Sequence, residues 1–259
     1  MGREERGPES YGLGVDIGGS GIKAAVVDLA TGSLTTERVR VPTPQPATPK
    51  AVSAVVSALV GTIDFEGTVG ATFPAVIQRG VAMTAANVDK SWLGTDVSAI
   101  LAAATGAPVM VLNDADAAGV AEMRVGAGRA ASGTVVMVTL GTGIGTGLFI
   151  DGALVPNTEL GHLELDGADA ESRAADSARD REGLSWSKWA KRVQRFLRHL
   201  EMLLTPDLFI VGGGASKRAT NWLPGIDVRT PIRVAELRND AGIVGAAFAA
   251  AEAPALSAP

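Results

Sequence analysis

Three glycine clusters, each directly behind a short apolar run, limit what this chain can fold into. Gly18-Gly19-Ser20-Gly21 follows the run Tyr11–Asp16. Gly141-Thr142-Gly143-Ile144-Gly145-Thr146-Gly147 follows Val135–Leu140, and Gly212-Gly213-Gly214 follows Leu208–Val211. Turns this tight need residues without a Cβ. They also leave backbone N–H groups uncovered, and such groups cradle anionic oxygens, phosphate above all. One loop of this kind is weak evidence, because glycine turns are common. Three behind apolar strands are stronger evidence, against the simpler alternative of three plain turns in a glycine-rich chain.

The first two clusters repeat one organisation. Tyr11–Asp16 reads as a strand, the glycines as a loop, Ile22–Asp28 as a second strand and Ala30-Thr31-Gly32-Ser33 as a hairpin turn. Val135–Leu140, the second glycine run, Leu148–Ile150 and Asp151-Gly152 follow the same order. A repeat half a chain apart suggests two related lobes. Residues 34–41 read as a third strand, and the prolines at 42, 44, 46 and 49 as a stiff connection. Thr48-Pro49 opens a helix that Gly61 ends, with Thr48 as its cap. Thr68–Phe73 and Val109–Asn113 read as strands, 96–105 and Ala115–Gly126 as helices. Ser185–Leu204 is a long amphipathic helix closed by Pro206, and Ala241–Glu252 a helix of small residues. Alternating strands and helices define an α/β class.

Composition removes several functions. With 46% hydrophobic and 20% charged residues the chain is not disordered. It has no cysteine, which excludes a disulfide scaffold, a thiol nucleophile and a thiolate zinc site. Histidine stands only at 162 and 199, too few for a histidine metal cluster. A net charge of −5 argues against a general nucleic-acid binder. Met1–Ser10 is charged and lacks the apolar core of a signal peptide, and no apolar run reaches the ~18 residues of a membrane span. The expectation is a soluble, cytoplasmic protein with no membrane or nucleic-acid partner. The P-loop pattern, the dinucleotide fingerprint and the protein-kinase signatures are all absent.

What remains is Asp16-Ile17-Gly18-Gly19-Ser20-Gly21-Ile22-Lys23. With it stand Leu112-Asn113-Asp114-Ala115-Asp116, Leu140-Gly141-Thr142-Gly143-Ile144-Gly145, Glu159-Leu160-Gly161-His162 and Val211-Gly212-Gly213-Gly214. Over about residues 11–250 the chain thereby resembles the sugar kinases of the repressor–open-reading-frame–kinase family. Phe73-Pro74-Ala75, Asn87 to Trp92 and Ile210 to Arg218 are similar to the glucokinases of that family that use polyphosphate. The resemblance implies a two-lobed, actin-like, ribonuclease-H-like ATPase fold. It implies a tail at 1–10, a small lobe at 11–113 completed by the helix 241–252, and a large lobe at 114–240. Many members carry a cysteine-rich zinc motif after the Glu-x-Gly-His segment. This chain cannot, so no zinc is expected, as in the polyphosphate-using members.

The implied reaction is phosphoryl transfer from polyphosphate, and from ATP, to O6 of glucose, with Mg2+ and in a homodimer. Such transfer needs positioning and charge neutralisation more than covalent chemistry. A sugar hydroxyl also needs a base, and a carboxylate serves. Asp114, behind a buried strand, stands where α/β clefts form. Spacing alone makes it equally a helix cap; the resemblance assigns it as the base and leaves Asp116 as the better cap. Asn113, Glu159 and His162 are then the sugar-binding residues, with Asn87 and Glu171 as weaker candidates. Asp16, Gly18, Gly19, Ser20, Gly21 and Lys23 would handle the transferred phosphoryl, Asp16 holding Mg2+ through water. A lysine two residues into a strand more often faces solvent, so Lys23 stays open. Thr142 and Gly143 would hold the donor's other phosphates, and Gly213 and Gly214 the adenosine end of ATP. Lys217 and Arg218, just after the third glycine loop, are placed near a donor channel.

Lys188, Lys191, Arg192, Arg195 and Arg198 string along the helix 185–204. They could follow a polyanion, but a solvated helix face is the simpler account. Trp92 and Trp186 read as packing residues. The alternatives are an ATP-dependent hexokinase for glucose, mannose or an N-acylated sugar, a sugar-responsive transcription regulator, and a non-catalytic sugar-binding relative. With about ten residues ahead of the first strand, a regulator's helix-turn-helix domain is not expected. An intact Asn113-Asp114 argues against loss of catalysis.

Overall fold

In the computed structural model, which describes residues 10–85 and 88–253, the glycine-loop hairpins form as strand pairs. In chain order come β1 (Tyr11–Ile17), β2 (Ile22–Asp28), β3 (Val39–Val41), α1 (Pro49–Val60) and β4 (Val69–Phe73). Then follow β5 (Ile77–Gln78), β6 (Val81–Ala82), α2 (Val97–Thr105), β7 (Val109–Asn113) and α3 (Asp114–Val125). The second half runs β8 (Thr134–Leu140), β9 (Ile144–Ile150), β10 (Ala153–Val155), β11 (Glu164–Leu165), β12 (Ala168–Asp169), α4 (Ala170–Ala174), α5 (Asp176–Arg181) and α6 (Trp186–Leu204). It ends with β13 (Leu208–Gly212), β14 (Ile232–Val234) and α7 (Ala241–Glu252). The chain divides into two compact units, Met1–Ala121 with Asn239–Pro259, and Glu122–Arg238.

Each unit holds one five-stranded sheet, in the orders β3-β2-β1-β4-β7 and β10-β9-β8-β13-β14. In both, the hairpin and third strand are antiparallel and the remaining two strands are parallel. The repeat read from the two glycine loops is thus a repeat of whole sheets.

In the first unit, alternation along β1 sorts side chains to two faces. Leu13, Val15 and Ile17 join Val52, Val56 and Leu59 of α1 and Val97 and Leu101 of α2 in one buried cluster. Gly12 and Gly14 face the other way, against α7. That helix is buried nearly all round, as a helix of small apolar residues must be. Thr48 caps α1 by accepting from Ala51 N, as its sequence indicates. The 34–41 segment differs from expectation: only Val39–Val41 forms a ladder with β2. Upstream, Leu34 makes one isolated bridge to Val27, and the Thr36 hydroxyl accepts from Val26 N at 3.1 Å. Thr35 N also donates to Val26 O at 2.8 Å, so backbone and side-chain bonds together hold this stretch where no continuous ladder forms.

In the second unit, α6 lays Trp189, Val193, Phe196, Leu197 and Leu200 against Val136, Val138, Phe209 and Val211 of the sheet. The second glycine run is shorter as a loop than its sequence suggests. Only Gly141 to Gly143 turns; Gly145 and Gly147 are already strand, opposite Thr139 and Met137. Among the described residues, no helix is long and apolar enough to cross a membrane. Trp92 is buried, tilted against Phe73 with ring centroids 4.6 Å apart, and donates to Ala47 O at 2.8 Å. Trp186 lies edge-on to Trp189 and under the Arg179 guanidinium. Both are packing residues, as read from the sequence.

Candidate functional site

The first glycine loop is held from three sides. Gly18 N donates across the turn to Gly21 O at 3.1 Å, and the Thr43 hydroxyl donates to Gly18 O at 2.5 Å. The ladder aligns Arg40, Lys23, Asp16 and Thr72 in one cross-strand row. Side chains in such a row share a face. Lys23 Nζ sits 2.7 Å from Asp16 Oδ2, and the Thr72 hydroxyl donates to Oδ1 at 2.9 Å. Lys23 therefore turns to the carboxylate rather than into solvent. A Cβ at Gly242, in the first turn of α7, would come within 3.0 Å of the Asp16 carboxyl, so the helix N-terminus approaches it closely. Gly19 and Ser20 are exposed.

Arg40 was invisible to the sequence reading. Its guanidinium lies over Gly21, where a Cβ would meet Nε at 2.8 Å, and Nη2 donates to Ser20 O at 3.3 Å. The third strand that carries it was legible, but its register against Lys23 was not.

At the carboxyl end of β7 the sheet gives way directly to α3. Asn113, not Asp116, caps that helix: its Oδ1 accepts from Ala115 N at 2.8 Å and Asp116 N at 3.4 Å. Its Nδ2 donates to Ala75 O at 3.1 Å. Asp116 falls inside the first turn and is buried, so the cap read from its sequence position belongs three residues earlier. Asp114 is the first residue of α3 and is exposed, with Oδ1 accepting from Ala115 N at 2.9 Å. Asn87 lies outside the described residues.

In the second unit, Gly141 N donates to Gly143 O at 3.0 Å, closing the second loop as Gly18 closes the first. Ser177 fastens it, with N donating to Gly141 O and the hydroxyl to Thr142 O. Thr142 is exposed. Glu171 lies against this loop: Oε2 accepts from Ile144 N at 2.8 Å, and a Cβ at Gly143 would meet it at 2.2 Å. Gly213, at φ 76°, crosses the end of β8, where a Cβ would meet Leu140 backbone at 2.6 Å. Gly214 opens a 3-10 turn that carries exposed Lys217 and Arg218.

The Glu159–His162 segment is fixed to the start of β9. The Thr146 hydroxyl donates to Thr158 O and accepts from Leu160 N. A Cβ at Gly161 would strike Ile144 O at 2.1 Å, so only glycine lets the segment lie that close. Glu159 and His162 are exposed at the two ends of a single 3-10 turn. His162 Nδ1 is 2.8 Å from Asp169 Oδ2. That hydrogen bond holds the imidazole above its ordinary value against a smaller effect of burial, with Glu171 and Glu159 adding in the same direction. Burial pushes Asp169 up, but His162 and the Ser172 amide together keep its carboxyl below the usual range.

The basic face of α6 is largely spoken for. Arg192 pairs with Glu182 at 2.6 Å, Arg195 with Asp166 at 2.9 Å and Arg198 with Asp227 at 2.5 Å. These arginines pin loops of the same unit to the helix, which supports the helix-face reading over a polyanion track.

Residues 12–180 match the ROK family. The chain is 50% identical to a polyphosphate glucokinase of Mycobacterium tuberculosis over 242 residues, 93% of this chain and 91% of that protein. Among solved structures it is similar to an inorganic polyphosphate/ATP-glucomannokinase from Arthrobacter sp. strain KM. Identity is 55%, TM-score 0.87, and coverage 93% of this chain and 98% of that one. It is also similar to a ROK family glucokinase from Streptomyces griseus, in complex with glucose and AMPPNP. There identity is 25%, TM-score 0.79, and coverage 94% and 100%. Paired glycine-loop hairpins on two like sheets are those of the actin-like, ribonuclease-H-like ATPase class. Within that class, the chain belongs to the ROK family.

Proposed function

We propose that this protein transfers a phosphoryl group from inorganic polyphosphate, and from ATP, to O6 of glucose. The observation that carries the reading is the 50% identity to a polyphosphate glucokinase along 93% of the chain. Asp114 accepts the O6 proton as O6 attacks the terminal phosphorus of the donor. The bond from that phosphorus to the bridging oxygen breaks, and its electron pair stays with the shortened polyphosphate or ADP. Asn113 holds the start of α3, and so Asp114, in place; its second amide hydrogen serves a sugar hydroxyl. Glu159, His162 and the remaining oxygen of Glu171 take ring hydroxyls.

Gly18, Gly19, Ser20 and Gly21 present the loop to the transferred phosphoryl, with Lys23 and Arg40 as its cations. Thr142, Gly143, Gly213 and Gly214 serve the rest of the donor. Among the described residues no cluster of three or more metal-ligand side chains occurs. A single carboxylate, Asp16, fits a Mg2+ that arrives on donor phosphates and keeps its waters. Bound there, the ion would neutralise phosphate charge. A homodimer and a cytoplasmic location belong to the same reading and rest on the family resemblance.

The test is glucose 6-phosphate formation with polyphosphate, with ATP, and with neither donor. Turnover with polyphosphate supports the whole reading; turnover with ATP alone removes the polyphosphate part; no turnover with either removes the kinase reading. Arg40→Ala is expected to raise the donor KM roughly tenfold, the worth of one charge-assisted hydrogen bond. The glucose KM should stay unchanged. An unaltered donor KM would remove Arg40 from the site.

A further inference from the structure

The sequence pointed to His162 but to nothing that orients it. The structure supplies a partner by way of a hairpin. Asp166 and Gly167, at φ 54° and 74°, make a two-residue turn between β11 and β12. This is the backbone that a tight hairpin's twist requires. The turn returns the chain so that Asp169 lies opposite Glu164 and reaches back to His162. Asp169 is itself fixed. Its Oδ1 accepts from Ser172 N at 3.0 Å as the cap of α4, and the Ser172 hydroxyl donates to Asp169 O at 2.6 Å. Ala170 N donates to Leu163 O at 2.9 Å, and Arg195 of α6 holds the hairpin tip through Asp166. The carboxylate is therefore placed before any ligand arrives, and the exposed imidazole takes its orientation from it.

An ionised carboxylate only accepts hydrogen bonds, so the proton between the two groups belongs to the imidazole Nδ1. The opposite ring nitrogen, Nε2, then presents one defined face outward. We propose that Asp169 is a positioning residue for the sugar: it locks His162 with Nδ1–H toward itself and Nε2 toward a sugar hydroxyl. This rests on the glucokinase reading of the same site. Asp169 does not touch the sugar; it acts through His162. The same hairpin gives Arg195 of α6 a purpose, because it steadies the turn that carries Asp169.

The chain has two histidines, so its imidazole spectrum is simple. Nitrogen-15 histidine spectra of the full-length protein, assigned with His199→Gln, read the tautomer and titration of His162 directly. The expected wild-type result is the Nδ1–H form, titrating above the ordinary imidazole range. Asp169→Asn keeps an oxygen to cap α4 but removes the charge. It is expected to lower the His162 titration and raise the glucose KM about five- to tenfold, the worth of about one hydrogen bond. The polyphosphate KM, kcat and melting temperature should stay within about twofold or a degree or two of wild type. An Nε2–H tautomer in the wild type, or an unchanged glucose KM in the variant, overturns the proposal. So does a loss spread over both substrates and the melting temperature, which would mark a purely structural role. Absence of wild-type turnover would sink the kinase reading instead, and the spectra would still decide whether the pair is locked.

Discussion

Asp114→Asn is expected to lower kcat by about a thousandfold while leaving the protein folded and glucose-binding. A positioned general base contributes roughly 10²- to 10⁴-fold, and Asn has the same shape without basicity. The fold limits side effects. Asp114 is exposed, at the first position of α3, and the cap of that helix is Asn113 rather than Asp114. Asn at 114 can still accept from Ala115 N, as Asp114 Oδ1 does. Loss of the base should cost the same factor with polyphosphate as with ATP, because the proton comes from the sugar and not from the donor. A loss confined to one donor would mean that Asp114 acts on the phosphate side. Turnover assays with each donor, with glucose affinity by calorimetry, separate these cases. A variant keeping more than a tenth of wild-type turnover would remove Asp114 from the role of base.

The parts of this protein that sequence reveals are those where local chemistry decides. The glycine loops are legible because a chain can turn so sharply after an apolar strand only with glycine. Thr48-Pro49 marks the start of α1 because cap and first-turn preferences are local. The cap of α3 was only partly legible: the sequence offered Asp114 or Asp116, and Asn113, which precedes both, takes the role. Side-chain reach decided among them, and reach depends on how β7 delivers the chain. Asp169 left a faint local signal, a capping Asp three residues before Ser172, but nothing in that signal points to His162. Arg40 left less still. Its role follows from the register of β3 on β2, and a slip of one residue would have put Val39 or Val41 opposite Lys23. The basic face of α6 is legible only in part. Its charges are plain in the sequence, while the acids that pair with them lie on distant loops.

The largest effect on stability is expected from a residue with no side chain. Helix α7 meets the first sheet backbone to backbone at two strand glycines: a Cβ at Gly70 would sit 1.9 Å from Ala246 O, and one at Gly14 1.9 Å from Ile243 O. Gly245 repeats this on the helix itself, 1.8 Å from Ala117 O of α3. These obstacles are backbone atoms of a buried helix and cannot swing aside as a flexible side chain would. Gly70→Ala must therefore push α7 off β4, losing packing along a helix whose residues from Ile243 to Ala250 are buried. Overpacking of this sort costs about 1–3 kcal/mol and at times more, and a backbone obstacle belongs at the upper end. At roughly 2–4 °C per kcal/mol for a chain of this size, Gly70→Ala should melt several degrees below wild type. Gly214→Ala is the control, because a Cβ there would meet nothing within 4 Å. The same movement would displace Gly242 from the Asp16 carboxyl, so activity in Gly70→Ala should fall at temperatures where the protein is still folded. Equal melting temperatures for the two variants would mean that α7 can shift on its sheet at no cost, and that the glycines of β1 and β4 are not what seats it.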